Sequence, residues 1–205
     1  MAEFRKVIAD RIKAAGSRSK VVAEATNFMN NGLDDSKNMA IVKTNQRFVP
    51  GKIYLFDYDD PVTEARMLWW DAKPVVLSLG QDGPTDIGIN LNLFPSKERE
   101  VIVEKIFNTF QGKIESATRG NYTENALRQG PLAQMEYSRI INMMQRYGVG
   151  YGVRRYLPTL KKNQGVIAYE KWVDVTLVEG GSIQKGGIGV VHAGFRKYIK
   201  SKNLI

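Results

Sequence analysis

Three carboxylates close an apolar run in the stretch KIYLFDYDDPV, Lys52 to Val62: Asp57, Asp59 and Asp60. An apolar strand ending in a carboxylate pair is one way in which phosphate- and sugar-transferring enzymes hold magnesium. Asp57-Tyr58-Asp59 also has the Asp-x-Asp spacing in which one carboxylate attacks phosphorus and the second acts as the acid. The neighbours complete neither chemistry. Pro61 follows where the phosphatase motif needs a small or hydroxylated residue, and a calcium loop fails because Asp60-Pro61 breaks the ligand spacing and no central glycine is present. The carboxylates read instead as a strand ending in a polar Asp-Pro turn, where Asp side chains bond the local backbone. A metal-dependent phosphohydrolase using Asp57 and Asp59 stands third among the readings.

Other catalytic chemistries lack their residues. With no cysteine and a single histidine, His192, thiolate catalysis, disulfides, zinc-thiolate sites and His-rich metal sites are excluded. His192 has no Ser or Cys partner at a recognisable spacing. The glycines Gly181, Gly186 and Gly187 lack the Gly-Lys-Ser/Thr ending of a phosphate-cradling loop. Gly148, Gly150 and Gly152 follow a helix pattern, the wrong context for a dinucleotide site. No catalytic group, metal or cofactor is therefore expected.

Binding chemistry is what the residues offer. The chain carries a net charge of +9, unevenly spread. Residues 1–20 hold six Lys/Arg against two acids and residues 151–205 hold ten against three, whereas residues 51–100 hold five against nine. Two basic clusters each enclose a tyrosine: Arg154, Arg155, Lys161 and Lys162 around Tyr156, and Arg196, Lys197, Lys200 and Lys202 around Tyr198. Such sets suit a phosphate backbone, with Arg as a bidentate donor and Tyr as a stacking group, and they suit an acidic protein surface equally well. An acidic surface exists in the same chain, at Asp57, Asp59, Asp60 and Glu64, joined by Asp71, Asp82 and Asp86. A basic end meeting the acidic face of the next copy makes a heterologous contact, which closes a ring when repeated with rotation.

The elements that must position these groups follow from periodicity. Phe4, Val7, Ile8, Ile12 and Ala15 recur at helical spacing before Gly16, giving an amphipathic helix. Asn30-Asn31-Gly32 and Asp34-Asp35-Ser36 then suggest a linker, so residues 1–45 read as an N-terminal helical arm reaching away from the body. KIYLFDY, KPVVLSLG and DIGINLNLF read as three strands, the last alternating through Ile87, Ile89, Leu91 and Leu93. A helix opens at Pro95-Ser96 with a stripe of Val101, Ile102, Ile106, Phe107 and Phe110, and another at Pro131 with Met135, Ile140, Ile141, Met144 and Tyr147. Trp172 with alternating Val173, Val175 and Leu177 suggests one or two further strands. The order makes an α+β fold, a mixed, mostly antiparallel sheet packed with two or more helices. Its parts are the arm (1–45), an α+β core (46–180) and a Gly-rich loop with a basic C-terminal segment (181–205). No apolar run reaches the ~20 residues of a membrane span, and the charged N-terminus lacks a secretory apolar core, so the chain is expected to stay where it is made, without membrane contact.

Taken in order, Gly51, Phe56, Tyr58 and Asp59, then Trp69, Trp70, Asp71 and Pro74, then Gly88, Asn90, Leu91 and Pro95, then Arg155, Tyr156, Leu157 and Trp172, form a spaced set. Together they resemble the tailed-phage structural proteins known as DNA end protectors, over roughly residues 50–180. Two details depart from that pattern: Gly88-Ile89-Asn90 replaces Gly-Leu-Asn, and Tyr-Asp-Pro is stretched to Tyr58-Asp59-Asp60-Pro61. The first 45 residues match none of it. The resemblance implies a non-enzymatic virion protein, assembled in the host cytoplasm, that forms a ring in the head-to-tail connector. Its partners would be its own copies (a dodecamer by analogy with portal symmetry), the portal, other neck and tail proteins and packaged DNA. The alternative is a monomeric protein that binds DNA ends directly.

Overall fold

The computed structural model describes residues 2–31, 33, 40–66, 70–104, 152–168 and 171–178. Six strands form one antiparallel sheet: β1 (Ile41–Lys43), β2 (Ile53–Tyr58), β3 (Val75–Asp82), β4 (Thr85–Asn90), β5 (Val153–Tyr156) and β6 (Lys161–Ile167). Their spatial order is β1-β6-β2-β3-β4-β5. Among the described residues, helices α1 (Ala2–Ala15), α2 (Arg18–Asn31), α3 (Pro61–Arg66) and α5 (Trp172–Leu177) join the sheet in an α+β architecture, and residues 96–104 form α4.

Strand alternation divides the core in two. Ile53, Leu55, Val75, Leu77, Leu79, Ile87 and Ile89 point to one face, where Phe4 and Ile8 of α1, Val21, Ala25 and Met29 of α2, Ile102 and Val103 of α4 and the apolar residues of α5 bury them. Tyr54, Phe56, Tyr58, Val76 and Tyr156 point to the other, joined by Phe48 and Trp70. Because the side-chain period is two, one run such as Ile53–Tyr58 supplies an aliphatic row and an aromatic row at once.

The N-terminal helical arm is present, and it lies on the sheet instead of reaching away. Gly16 reverses the chain with φ 82°, so α2 returns along α1, and Ile41–Lys43 pairs with Gly165–Ile167. The turn-rich residues Asn30 and Asn31 end a full helix, whose stripe of Val21, Ala25 and Met29 has four-residue spacing.

Three other expectations are corrected. Trp172–Leu177 is a helix, not a strand, with all six residues buried. Arg99 reaches beneath it, and its guanidinium donates to the carbonyls of Val175 and Val178, which a helix end leaves without intrahelical partners. Leu91 and Leu93 belong to a 3-10 turn after β4, fixed by the Asn90 side chain, which accepts from the Asn92 N–H at 3.0 Å. On α4, Ile102 is buried as expected but Val101 is exposed and Val103 takes the inward position. Ile106, Phe107, Phe110, the helix from Pro131 and the segment 181–205 lie outside the described residues.

Candidate functional site

The three carboxylates do not converge. Asp57 is the penultimate residue of β2, and its Oδ2 accepts from Asn163 Nδ2 at 2.7 Å. Asp59, past the strand end, faces Lys162 Nζ at 3.6 Å with both side chains two-thirds exposed. Asp60 begins α3: Pro61 takes the first helical position and the Asp60 carbonyl accepts from the Glu64 N–H at 2.8 Å. Among the described residues no group of three or more His, Cys, Asp or Glu is placed to hold a metal ion. The Asp-Pro sequence starts a short helix after the strand rather than closing a simple turn.

A buried charge cluster lies on the aromatic face. Asp86 of β4 is fully buried; its Oδ1 receives Arg47 Nε at 2.6 Å and its Oδ2 receives Lys161 Nζ. Arg47 also donates to the Thr85 carbonyl at 2.8 Å, and Lys161 donates to Gln164 Oε1. Gln164 in turn donates to the Gln46 carbonyl at 2.7 Å. The Lys161 ammonium sits 4.2 Å from the centroid of the Phe48 ring, where the negative π-face adds attraction. Burial pulls the Lys161 ammonium below its ordinary value, against the opposing pull of Asp86. Together these contacts fasten residues 44–49 across the sheet. The Tyr54 hydroxyl accepts from the Val49 N–H at 2.9 Å, and Gln81 Nε2 donates to the Phe48 carbonyl at 3.2 Å.

Aromatic rings fill the rest of this face. Phe48 stacks on Tyr54 at 4.5 Å, Tyr58 stacks on Trp70 at 5.6 Å, and Tyr156 meets Phe56 and Tyr58 edge-on, each at 5.2 Å. Burial pushes the Tyr54 phenol up to about 12 and raises Tyr58 and Tyr156 as well. Gly88 lies in this layer because no side chain fits: a Cβ there would stand 2.2 Å from Val76 Cγ1 and 2.8 Å from the Leu77 carbonyl oxygen. Asp71 closes one end, its Oδ2 accepting from Asn90 Nδ2 at 2.8 Å and Asn92 Nδ2 at 3.0 Å.

The first basic cluster is thereby taken apart. Lys161 is buried and bound to Asp86, so it is not a surface contact. Lys162, its neighbour, points outward and faces Asp59. Arg155 pairs with Asp82 at 2.6 Å on the surface. Arg154 is half-buried, donates to the Val153 carbonyl at 3.0 Å, and is pulled below its ordinary value by burial. Three of the cations expected to meet acids of another copy thus meet acids of the same chain, and Asp86 is no part of an acidic surface. That complementarity gives no reason for a second copy. Arg196, Lys197 and Lys200 of the second cluster lie outside the described residues.

Sequence reading missed the Arg47–Asp86–Lys161 cluster. Its signal was the parity of Asp86 within TDIGIN, where Ile87 and Ile89 mark the opposite face. It counted the cations at the α1–α2 corner, Lys13, Arg18 and Lys20, only within the charge of residues 1–20; they are exposed. Comparison with protein-family models, curated proteins and solved structures gives no match. No helix among the described residues is long and apolar enough to cross a membrane.

Proposed function

We propose that the chain is a non-enzymatic structural subunit of a tailed-phage head-to-tail connector, forming a ring next to the portal with packaged DNA in its lumen. The observation that carries this reading is a convergence. The spaced segments that resemble the DNA end protectors supply one packed layer: Phe56 and Tyr58 from the first, Trp70 and Asp71 from the second, Asn90 from the third and Tyr156 from the fourth. Phe56, Tyr58, Trp70 and Tyr156 pack in one aromatic cluster there, whereas Leu91 and Trp172 of the same spaced set belong to the core on the opposite face. Asp57 and Asp59 have structural partners at the surface, Asn163 and Lys162, in keeping with a scaffold role.

Ring formation then rests on surfaces other than the 154–162 and 57–64 segments, whose charges are largely matched within one chain. The test is assembly: mass photometry of the purified chain, alone and with portal protein, should give a closed ring, and electron microscopy of the phage particle should locate it at the neck. Monomers throughout, at low and moderate salt and with portal added, would sink the ring and favour the alternative, a monomeric DNA-end-binding protein.

A further inference from the structure

The corner between α1 and α2 is built without bulk. The Gly16 N–H bonds to the Lys13 carbonyl at 3.2 Å, and Ser17 caps α2, its Oγ accepting from the Lys20 N–H at 3.2 Å. Four cations fall between residues 11 and 20 with no acid among them. Arg11 turns back onto the fold, 3.2 Å from Glu24 and 3.6 Å from buried Asp174. Lys13, Arg18 and Lys20 remain exposed, and their side chains make no ion pair among the described residues. No large hydrophobic residue is exposed between positions 13 and 20.

We infer that this corner is a contact surface for the phosphate backbone of duplex DNA. The choice of partner follows from what the corner lacks. Protein interfaces are anchored by buried aromatic or aliphatic groups and are poor in Lys. Single-stranded nucleic acid is held by aromatic stacking, and a membrane surface by an apolar flank that inserts. The corner offers none of these. It offers donors: two ammonium groups, a guanidinium, the Ser19 hydroxyl, and the positive end of the 14-residue α2 dipole. Contacts of this composition position a protein on phosphates without reading sequence.

The inference deepens the DNA-facing part of the connector reading, through residues that lie outside the segments carrying the resemblance. The two fail separately. Absence of a ring leaves the corner's DNA contact measurable, and a ring that forms normally but ignores DNA removes the corner alone.

The experiment measures binding of the full chain to a short blunt-ended fluorescent duplex by anisotropy across salt. It compares wild type, the triple variant Lys13→Glu/Arg18→Glu/Lys20→Glu, and the control Arg155→Glu/Lys162→Glu, two reversals at exposed cations elsewhere against the three at the corner. All three altered corner residues are exposed, and unchanged circular dichroism and melting confirm folding. Each neutralised phosphate contributes a slope of about 0.9 in log K against log salt, so loss of three contacts lowers the slope by ~2.7 in the triple variant. Between 50 and 200 mM salt that amounts to roughly a 40-fold smaller decline in affinity. The control should keep most of the wild-type slope. The inference is overturned by an unchanged slope in the triple variant, by equal losses in both variants, or by no wild-type binding at low salt. Displacement of the duplex by polyglutamate at equal charge overturns it in favour of an acidic protein partner. Tighter binding to phosphatidylserine vesicles than to the duplex overturns it in favour of a membrane surface.

Discussion

Lys161 and Lys13 carry the same ammonium group and lead opposite lives. Lys161 lies beneath the aromatic face, locked between Asp86, Gln164 and the Phe48 ring, while Lys13 stands in solvent beside Arg18 and Lys20. Lys161, Lys162 and Arg155 of the sheet are matched within the chain, by Asp86, Asp59 and Asp82; the corner leaves Lys13, Arg18 and Lys20 available. Net charge is therefore a poor guide to where a basic protein meets its partner. What counts is which charges have already found counter-charges within the fold.

The largest test of that contrast removes the buried acid. Asp86→Ala leaves Lys161 and Arg47 facing each other without a counter-charge, and chemical denaturation should show a loss of about 3–5 kcal/mol. Adding Lys161→Met should restore part of it, whereas the same lysine substitution alone should not stabilise.

Next comes pH. Tyr54, Tyr58 and Tyr156 have phenols raised by burial, Tyr54 to about 12 from 10.0. The folded state therefore holds the proton more tightly than the unfolded chain. Stability from this source is complete below pH 10 and drains away as pH rises toward 12, on the order of 3 kcal/mol for Tyr54 alone. Lys161 works the other way, since its lowered value means the unfolded state binds the proton first as pH falls from its ordinary 10.5. One lysine against three phenols leaves a net decline, and the part of the phenolate absorbance that a Tyr54→Phe variant loses should rise together with unfolding rather than ahead of it.

A smaller effect is steric. Gly88→Ala should cost about 1–3 kcal/mol through overpacking against Val76, with the melting temperature as the readout. At the bottom of the scale, Lys162→Ala should move stability by no more than ~1 kcal/mol, because its pairing with Asp59 is solvent-exposed. A Lys162 variant as damaging as the Asp86 variant would erase the distinction between matched surface charge and matched buried charge.

The strands β2, β3 and β4 were legible because their apolar residues come in continuous or alternating runs of β-forming types. α5 was not. Its buried polar residues, Asp174 and Thr176, alternate with Val173, Val175 and Leu177, so the helix presents the period of a strand. α2 was hidden behind its own ending, the Asn30-Asn31-Gly32 signal drawing attention away from the Val21, Ala25, Met29 stripe. For the cations the sequence carried clustering but not direction. Lys161 and Lys162 differ only in the side of the strand to which each points, and Asp86, far along the chain, decides what that side contains.

The strand order holds a consequence for the chain during synthesis. β2 sits between β3, its near neighbour in sequence, and β6, reached only after a further hundred or so residues, where Tyr58 finally meets Lys161. A ribosome adding about 5–20 residues per second needs roughly 5–20 seconds to cover that distance. Throughout that interval β2 has one flank unpaired, with its apolar rows exposed to any neighbouring nascent chain. Among the described residues β6 is the last strand made, and it fills the gap between β1 and β2, so the first half of the protein depends on shielding, by a chaperone or by the growing chain itself, until the second half arrives.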